Sequence, residues 1–131
     1  MKHNFQRVPV PALATTCLLL IVFILPLHAQ QTNFKFTNYT INSGLSDGMV
    51  SSITQDSQGF MWFGTEDGLD RFDGYEFHNF HHDPFDSSTL SDNTITALMT
   101  DSRGELWIGT LNGGLNLFDA AHNRFLHFLV N

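Results

Sequence analysis

Residues 45–68 return, altered but readable, as residues 90–113. At an offset of 45, ten of these twenty-four positions are identical: Leu45/Leu90, Ser46/Ser91, Asp47/Asp92, Asp56/Asp101, Ser57/Ser102, Gly59/Gly104, Trp62/Trp107, Gly64/Gly109, Thr65/Thr110 and Gly68/Gly113. A period of about 40–50 residues made of short strands marks the blades of a β-propeller, each a small sheet that cannot bury its faces alone. The repeat therefore predicts an all-β chain in which every unit needs a neighbour. The expected architecture is a partial β-propeller: two four-stranded antiparallel blades and an N-terminal closing strand, preceded by a signal-peptide helix.

Four strand-like pieces follow one another in each unit. The first covers residues 50–55 and 95–100, the second 60–65 and 105–110, the third 69–73 and 115–119, and the fourth 75–80 and 124–128. Asp56-Ser57-Gln58-Gly59 and Asp101-Ser102-Arg103-Gly104 read as tight hairpins. The aspartate bonds back to local backbone, and the glycine takes a positive φ. The second piece is apolar on successive residues, Phe60-Met61-Trp62-Phe63 and Leu106-Trp107-Ile108, so both of its faces need cover. Trp62 and Trp107 read as plates between adjacent sheets. Gly64 and Gly109 mark close backbone approach or a sharp twist. Thr65 and Thr110, with Gly68 and Gly113, complete the structural motif.

The stretch Phe34-Lys35-Phe36-Thr37-Asn38-Tyr39 aligns with Tyr75-Glu76-Phe77-His78-Asn79-Phe80, a fourth strand without a blade of its own. In closed propellers such a strand completes the last blade and removes open sheet edges. The resulting division is a signal peptide over 1–29, the closing strand over 30–43, blade 1 over 44–82 and blade 2 over 83–131. The remaining blades would be partners of this piece.

Lys2 and Arg7 precede an apolar run from Ala12 to Leu27 that ends in Leu27-His28-Ala29, which reads as an export signal cleaved near Ala29 into the periplasm. The run is 16 residues long, short of the roughly 20 that span a bilayer. An uncleaved signal anchor is the competing reading, and membrane contact is expected only through this segment. Cys17, the single cysteine, lies inside the run, in a poor context for lipid attachment. The remainder thus has no thiol for a disulfide, a nucleophile or a thiolate zinc site. Beyond the leader four basic residues face thirteen acidic ones, a net charge of −9, which repels phosphate backbones and excludes nucleic acid as an expected partner.

Ile53-Thr54-Gln55-Asp56-Ser57-Gln58-Gly59-Phe60-Met61-Trp62-Phe63-Gly64-Thr65 and its counterpart from Leu98 to Thr110 lead into Gly68-Leu69 and Gly114-Leu115. Arg-Phe-Asp or Leu-Phe-Asp closes each unit. These strings resemble the two-component regulator propeller repeat, over roughly residues 34–128. The resemblance implies the N-terminal part of a periplasmic sensor region of a hybrid histidine kinase, with an oligosaccharide as ligand and the kinase outside this chain, truncated after two repeats. A fragment of another secreted propeller, whether a binding protein or a carbohydrate-active enzyme, and a remnant without function are the alternatives.

Catalytic chemistry has little to stand on. Asp67, Asp70 and Asp73 are three apart, whereas a calcium loop needs oxygens two apart and a closing glutamate. His78, His81, His82 and Asp83 supply metal-ligand types but straddle a strand end and a loop. Thirteen acids offer many carboxylate pairs without singling one out. No phosphate loop or nucleophile elbow is present. No catalytic, cofactor or metal residue is expected. The loops 43–49 and 88–93 are where ligand contacts would be sought.

Overall fold

The computed structural model describes residues 33–128. The leader, Cys17 and the cleavage position near Ala29 lie outside them. Residues 33–36 are exposed, and the compact body of the chain begins at Thr37. A short 3-10 turn over Ile41–Ser43 precedes eight strands: β1 (Val50–Gln55), β2 (Met61–Thr65), β3 (Gly68–Phe72), β4 (Phe77–Phe80), β5 (Ile95–Thr100), β6 (Leu106–Thr110), β7 (Leu115–Asp119) and β8 (Arg124–Phe128). They form two antiparallel four-stranded sheets, ordered β1-β2-β3-β4 and β5-β6-β7-β8. Among the described residues no helix is long and apolar enough to cross a membrane.

The two hairpin aspartates act as expected. Asp56 Oδ1 accepts the backbone N–H groups of Gln58 and Phe60, and its Oδ2 accepts the indole N–H of Trp62 at 2.8 Å. Asp101 repeats the backbone pair with Arg103 and Glu105. Gly59 and Gly104 close both turns at φ 93° and 81°. Thr65 and Thr110 serve the next hairpin, donating to the carbonyls of Gly68 and Gly114. The positive φ is at Gly68 and Gly114, so one residue is inserted in the second copy and Gly113 has a different task. A Cβ at Gly113 would run into Ser91.

Register assigns each side chain to a face. On the first sheet Thr54, Trp62, Arg71 and His78 pair across the strands, with Gly64, Leu69 and Phe80 beside them on the same face. That face meets Leu98, Leu106, Ile108, Phe118 and Phe125 of the second sheet. Trp62, 1% exposed, packs against Phe80 and Phe118 at ring separations of 5.7 and 5.0 Å. Along the inner strands Ser51 donates its hydroxyl to the Ile95 carbonyl at 2.7 Å, and Thr100 reaches the Gln55 carbonyl. Ser51 sits at the β-bulge between Val50 and Ser52, and the second sheet has the same irregularity between Ile95 and Ala97.

Trp107 differs from Trp62. It is only partly buried, packing on Phe128 of its own sheet at 5.5 Å. It shares an outer face with Met99, Leu115, Leu117, Leu126 and Phe128. Among the described residues no strand lies on that face. The expectation that both tryptophans are plates between sheets therefore holds for Trp62 alone, because only one side of the second sheet has a neighbour here.

The segment Phe34–Tyr39, expected as a closing strand, makes no strand pairing with any described residue. A strand exists only where its N–H and C=O groups find a ladder. Yet Tyr39 packs on Phe72 and Phe77 at 5.0 and 5.6 Å. Phe80 packs on Phe118 and Phe125, the equivalent pair of the second sheet, at 5.8 and 5.5 Å. Tyr39 thus stands to the first sheet as the last residue of β4 stands to the second.

Three outcomes follow from this geometry. A Cβ at Gly64 would lie 2.5 Å from Ile95 Cγ2 and 2.7 Å from Ser52 Oγ, whereas at Gly109 the nearest atom is 3.4 Å away. Gly64→Ala is therefore expected to lower stability by about 1–3 kcal/mol, and Gly109→Ala to leave it unchanged or raise it by up to about 1 kcal/mol, as read from urea midpoints. The N–H of Glu105 first, then that of Arg103 with its side chain and Trp107, hold the Asp101 carboxyl down from 3.8 to about 2. Its contribution is present above about pH 3.8 and lost as pH falls through about 2. Acid titration of Asp101→Asn should show a shallower loss in that window than the parent chain. The outer apolar faces should also make the chain self-associate in sedimentation, and Leu126→Asp should reduce it; a monodisperse monomer with sharp, reversible unfolding would contradict that.

Candidate functional site

Both loops named from the sequence lie at the same end of the sheets, beside the β2–β3 and β6–β7 hairpins, and each is tied down by one buried polar side chain. Asp70, fully buried on β3, accepts the Ser46 backbone N–H at 2.8 Å, the Ser46 hydroxyl, and the Asn79 amide at 2.7 Å. In the second sheet Asn116 takes the same position, accepting from Ser91 N–H and donating to Ser91 Oγ. Leu45 and Leu90, next to these serines, are buried and anchor the loops from below. The sequence displayed the serines as repeat identities and aligned Asn116 with Asp70; it did not show that each of these holds the serine of its own loop.

The second loop is also laced to the first sheet. The Gly68 N–H donates to the Asn93 carbonyl at 2.8 Å, the Asn93 amide reaches Asp67, and Thr94 Oγ1 donates to the Glu66 carbonyl. His82 bonds the Leu90 carbonyl through Nδ1 and donates its backbone N–H to Asn93 Oδ1. This rim is rigid, acidic and rich in side-chain amides, with exposed Met49 and Leu111 beside it. Amide and carboxylate groups of this sort recognise arrays of hydroxyls, and apolar side chains cover the C–H faces between them.

The candidate chemical clusters separate. Asp67 and Asp73 flank opposite ends of β3, about 20 Å apart along an extended strand, and Asp70 between them is committed to Ser46 and Asn79. His82 is occupied in the loop. His78 instead approaches Glu76, at 3.7 Å, and Asp73, an exposed trio on the β3–β4 hairpin. Asp73 is already used there: the N–H groups of Glu76 and Tyr75 hold its carboxyl below the ordinary range. Clefts occur next to the N-terminal turn, around Asn38–Asn42 with Gly48, and along the outer edge near Ser88 and Phe125. In the edge cleft the Ser88 hydroxyl donates to Asp86 Oδ1 at 2.6 Å, an exposed pair within one turn of the loop.

Comparison with known proteins places this geometry. The family described as two component regulator propeller matches residues 44–67 and 89–112. A curated relative, histidine kinase P4 of Formosa agariphila, is 44% identical over 63 residues, spanning 48% of this chain and 5% of its own length. The extracellular domain of a system from B. thetaiotaomicron described as hybrid two-component superposes with a TM-score of 0.66 at 34% identity, over 72% of this chain and 13% of that one. A second extracellular domain from B. thetaiotaomicron, described as one-component, gives a TM-score of 0.59 at 30% identity, over 73% and 14%. The chain thus spans only a small part of each relative. With both repeats matched and both sheets superposed on such domains, the chain carries two repeats of the two-component regulator propeller type.

Proposed function

We propose that the chain forms the opening blades of an extracytoplasmic propeller that senses an oligosaccharide for a hybrid two-component receptor. The observation that carries this reading is the likeness of 72% of the chain to an extracellular domain of such a system. The leader-like N-terminus supports export to the periplasm, and the rim that Asp70 and Asn116 hold in place exposes Glu66, Asp67 and Asn112, polar groups suited to hydroxyl recognition. Sensing here is non-catalytic: binding energy shifts a conformational equilibrium, and the chemistry belongs to a kinase outside these residues. Phe34–Tyr39, through Tyr39, supplies the fourth strand of the blade that closes the ring.

A ligand pocket shared among many blades cannot be assembled from two. The protein expressed from the intact reading frame should therefore bind oligosaccharides on a glycan array where the 131-residue chain alone does not. The same frame should continue into further repeats and a histidine kinase. Genomic sequencing that finds a secreted propeller with no kinase would replace this reading with the secreted-propeller one, and a frame broken at once would favour the remnant.

A further inference from the structure

Three arginines lie among the described residues, and two have carboxylate partners. Arg103 pairs with Asp101 and Glu105, and Arg124 with Asp119. The third, Arg71, stands at the seam between the sheets with no ion pair and no hydrogen bond from its guanidinium among the described residues. Its Nε is sealed from solvent without a partner. Its Cζ lies 4.8 Å from the centre of the Phe60 ring, 5.7 Å from Trp62 and 6.0 Å from Phe80. Contact with aromatic faces engages the face of a guanidinium and leaves its in-plane N–H donors unspent. A partly buried cation without an acceptor is a costly arrangement unless something completes it.

A cavity of about 110 Å³ opens beside it, lined by Asp56, Phe60, Trp62, Arg71 and Phe118, with Ser57 and Gly104 from the two hairpins at the mouth. This is the opposite end of the sheets from the loop rim described above. The repeat does not require a cation at this place, since the register equivalent of Arg71 on β7 is Leu117. Asp56 is the other charge facing the cavity, and among the described residues it forms no ion pair with Arg71. Its Oδ1 is held by the Gln58 and Phe60 N–H groups, and its Oδ2 by the Trp62 indole.

We propose that this seam cavity is a binding site for a carboxylate, held by the Nη edge of Arg71 against the Phe60 and Trp62 walls. The space is smaller than the roughly 150 Å³ that holds a benzene ring. Only the anionic head enters, therefore, and the rest of the ligand lies outside over Ser57, Gln58 and Ala120. The head is the shared chemistry of simple organic acids and acidic sugars.

The test follows Trp62 fluorescence in the full chain carrying Trp107→Phe, titrated with acetate, with glucuronate and with neutral glucose. Acetate is expected to give a saturable change and glucose none; a matching response to glucuronate extends the site to acidic sugars, and its absence restricts it to simple acids. Arg71→Leu, which installs the residue of the second repeat, should weaken acetate binding at least about tenfold, the factor that corresponds to 1.4 kcal/mol. Should that variant not fold, the Arg71 Nη and Nε resonances of the parent chain provide the same reading, shifting with acetate and not with glucose. No saturable response to acetate, an equal response to glucose, or undiminished binding in folded Arg71→Leu would overturn the proposal.

Discussion

A four-stranded sheet with apolar side chains on both faces cannot stand alone in water, and the molecule is organised around that constraint. The seam between the two sheets satisfies it once. Trp62, Leu69 and Phe80 meet Ile108, Phe118 and Phe125, and the resulting cluster contains most of the buried apolar residues described here. Burial of this type contributes on the order of 25 cal/mol per Å² of apolar surface removed from water, and it is the only large stabilising resource available to such short strands. Gly64 exists to permit it, because Ile95 occupies the space a side chain would take.

The seam also explains why equivalent residues behave differently. Trp62 and Trp107, Gly64 and Gly109, and Ser51 and Thr96 match in sequence position, yet the first of each pair faces a neighbouring sheet and the second does not. The chemistry of a repeat position is therefore set by what adjoins it as much as by its residue type. Asp70 and Asn116 show the converse. Their residue types differ, but each holds the serine of its own loop and the role is the same.

Much of the fold was legible because the repeat gives each strand two chances to be recognised. β1, β5, β7 and β8 have the bounds expected from the pattern, and the other strands shift by one or two residues at their ends. The hairpins were legible through Asp56, Gly59, Asp101 and Gly104, whose local bonding needs no distant partner. What depends on distant contacts was not: the orientation of Trp107 toward an open face, the lacing of Asn93 to Gly68, and the solitude of Arg71. At an offset of 45 Gly68 aligns with Gly113, but the Gly-Leu pairs Gly68-Leu69 and Gly114-Leu115 already mark the inserted residue, and the left-handed position is Gly114.

The bond from Gly68 to Asn93 has a mechanical meaning. The second loop is fastened both to its own sheet, through Ser91 and Asn116, and to the hairpin of the sheet before it. A load applied at that loop is therefore shared sideways with the adjoining sheet instead of being absorbed by a hinge.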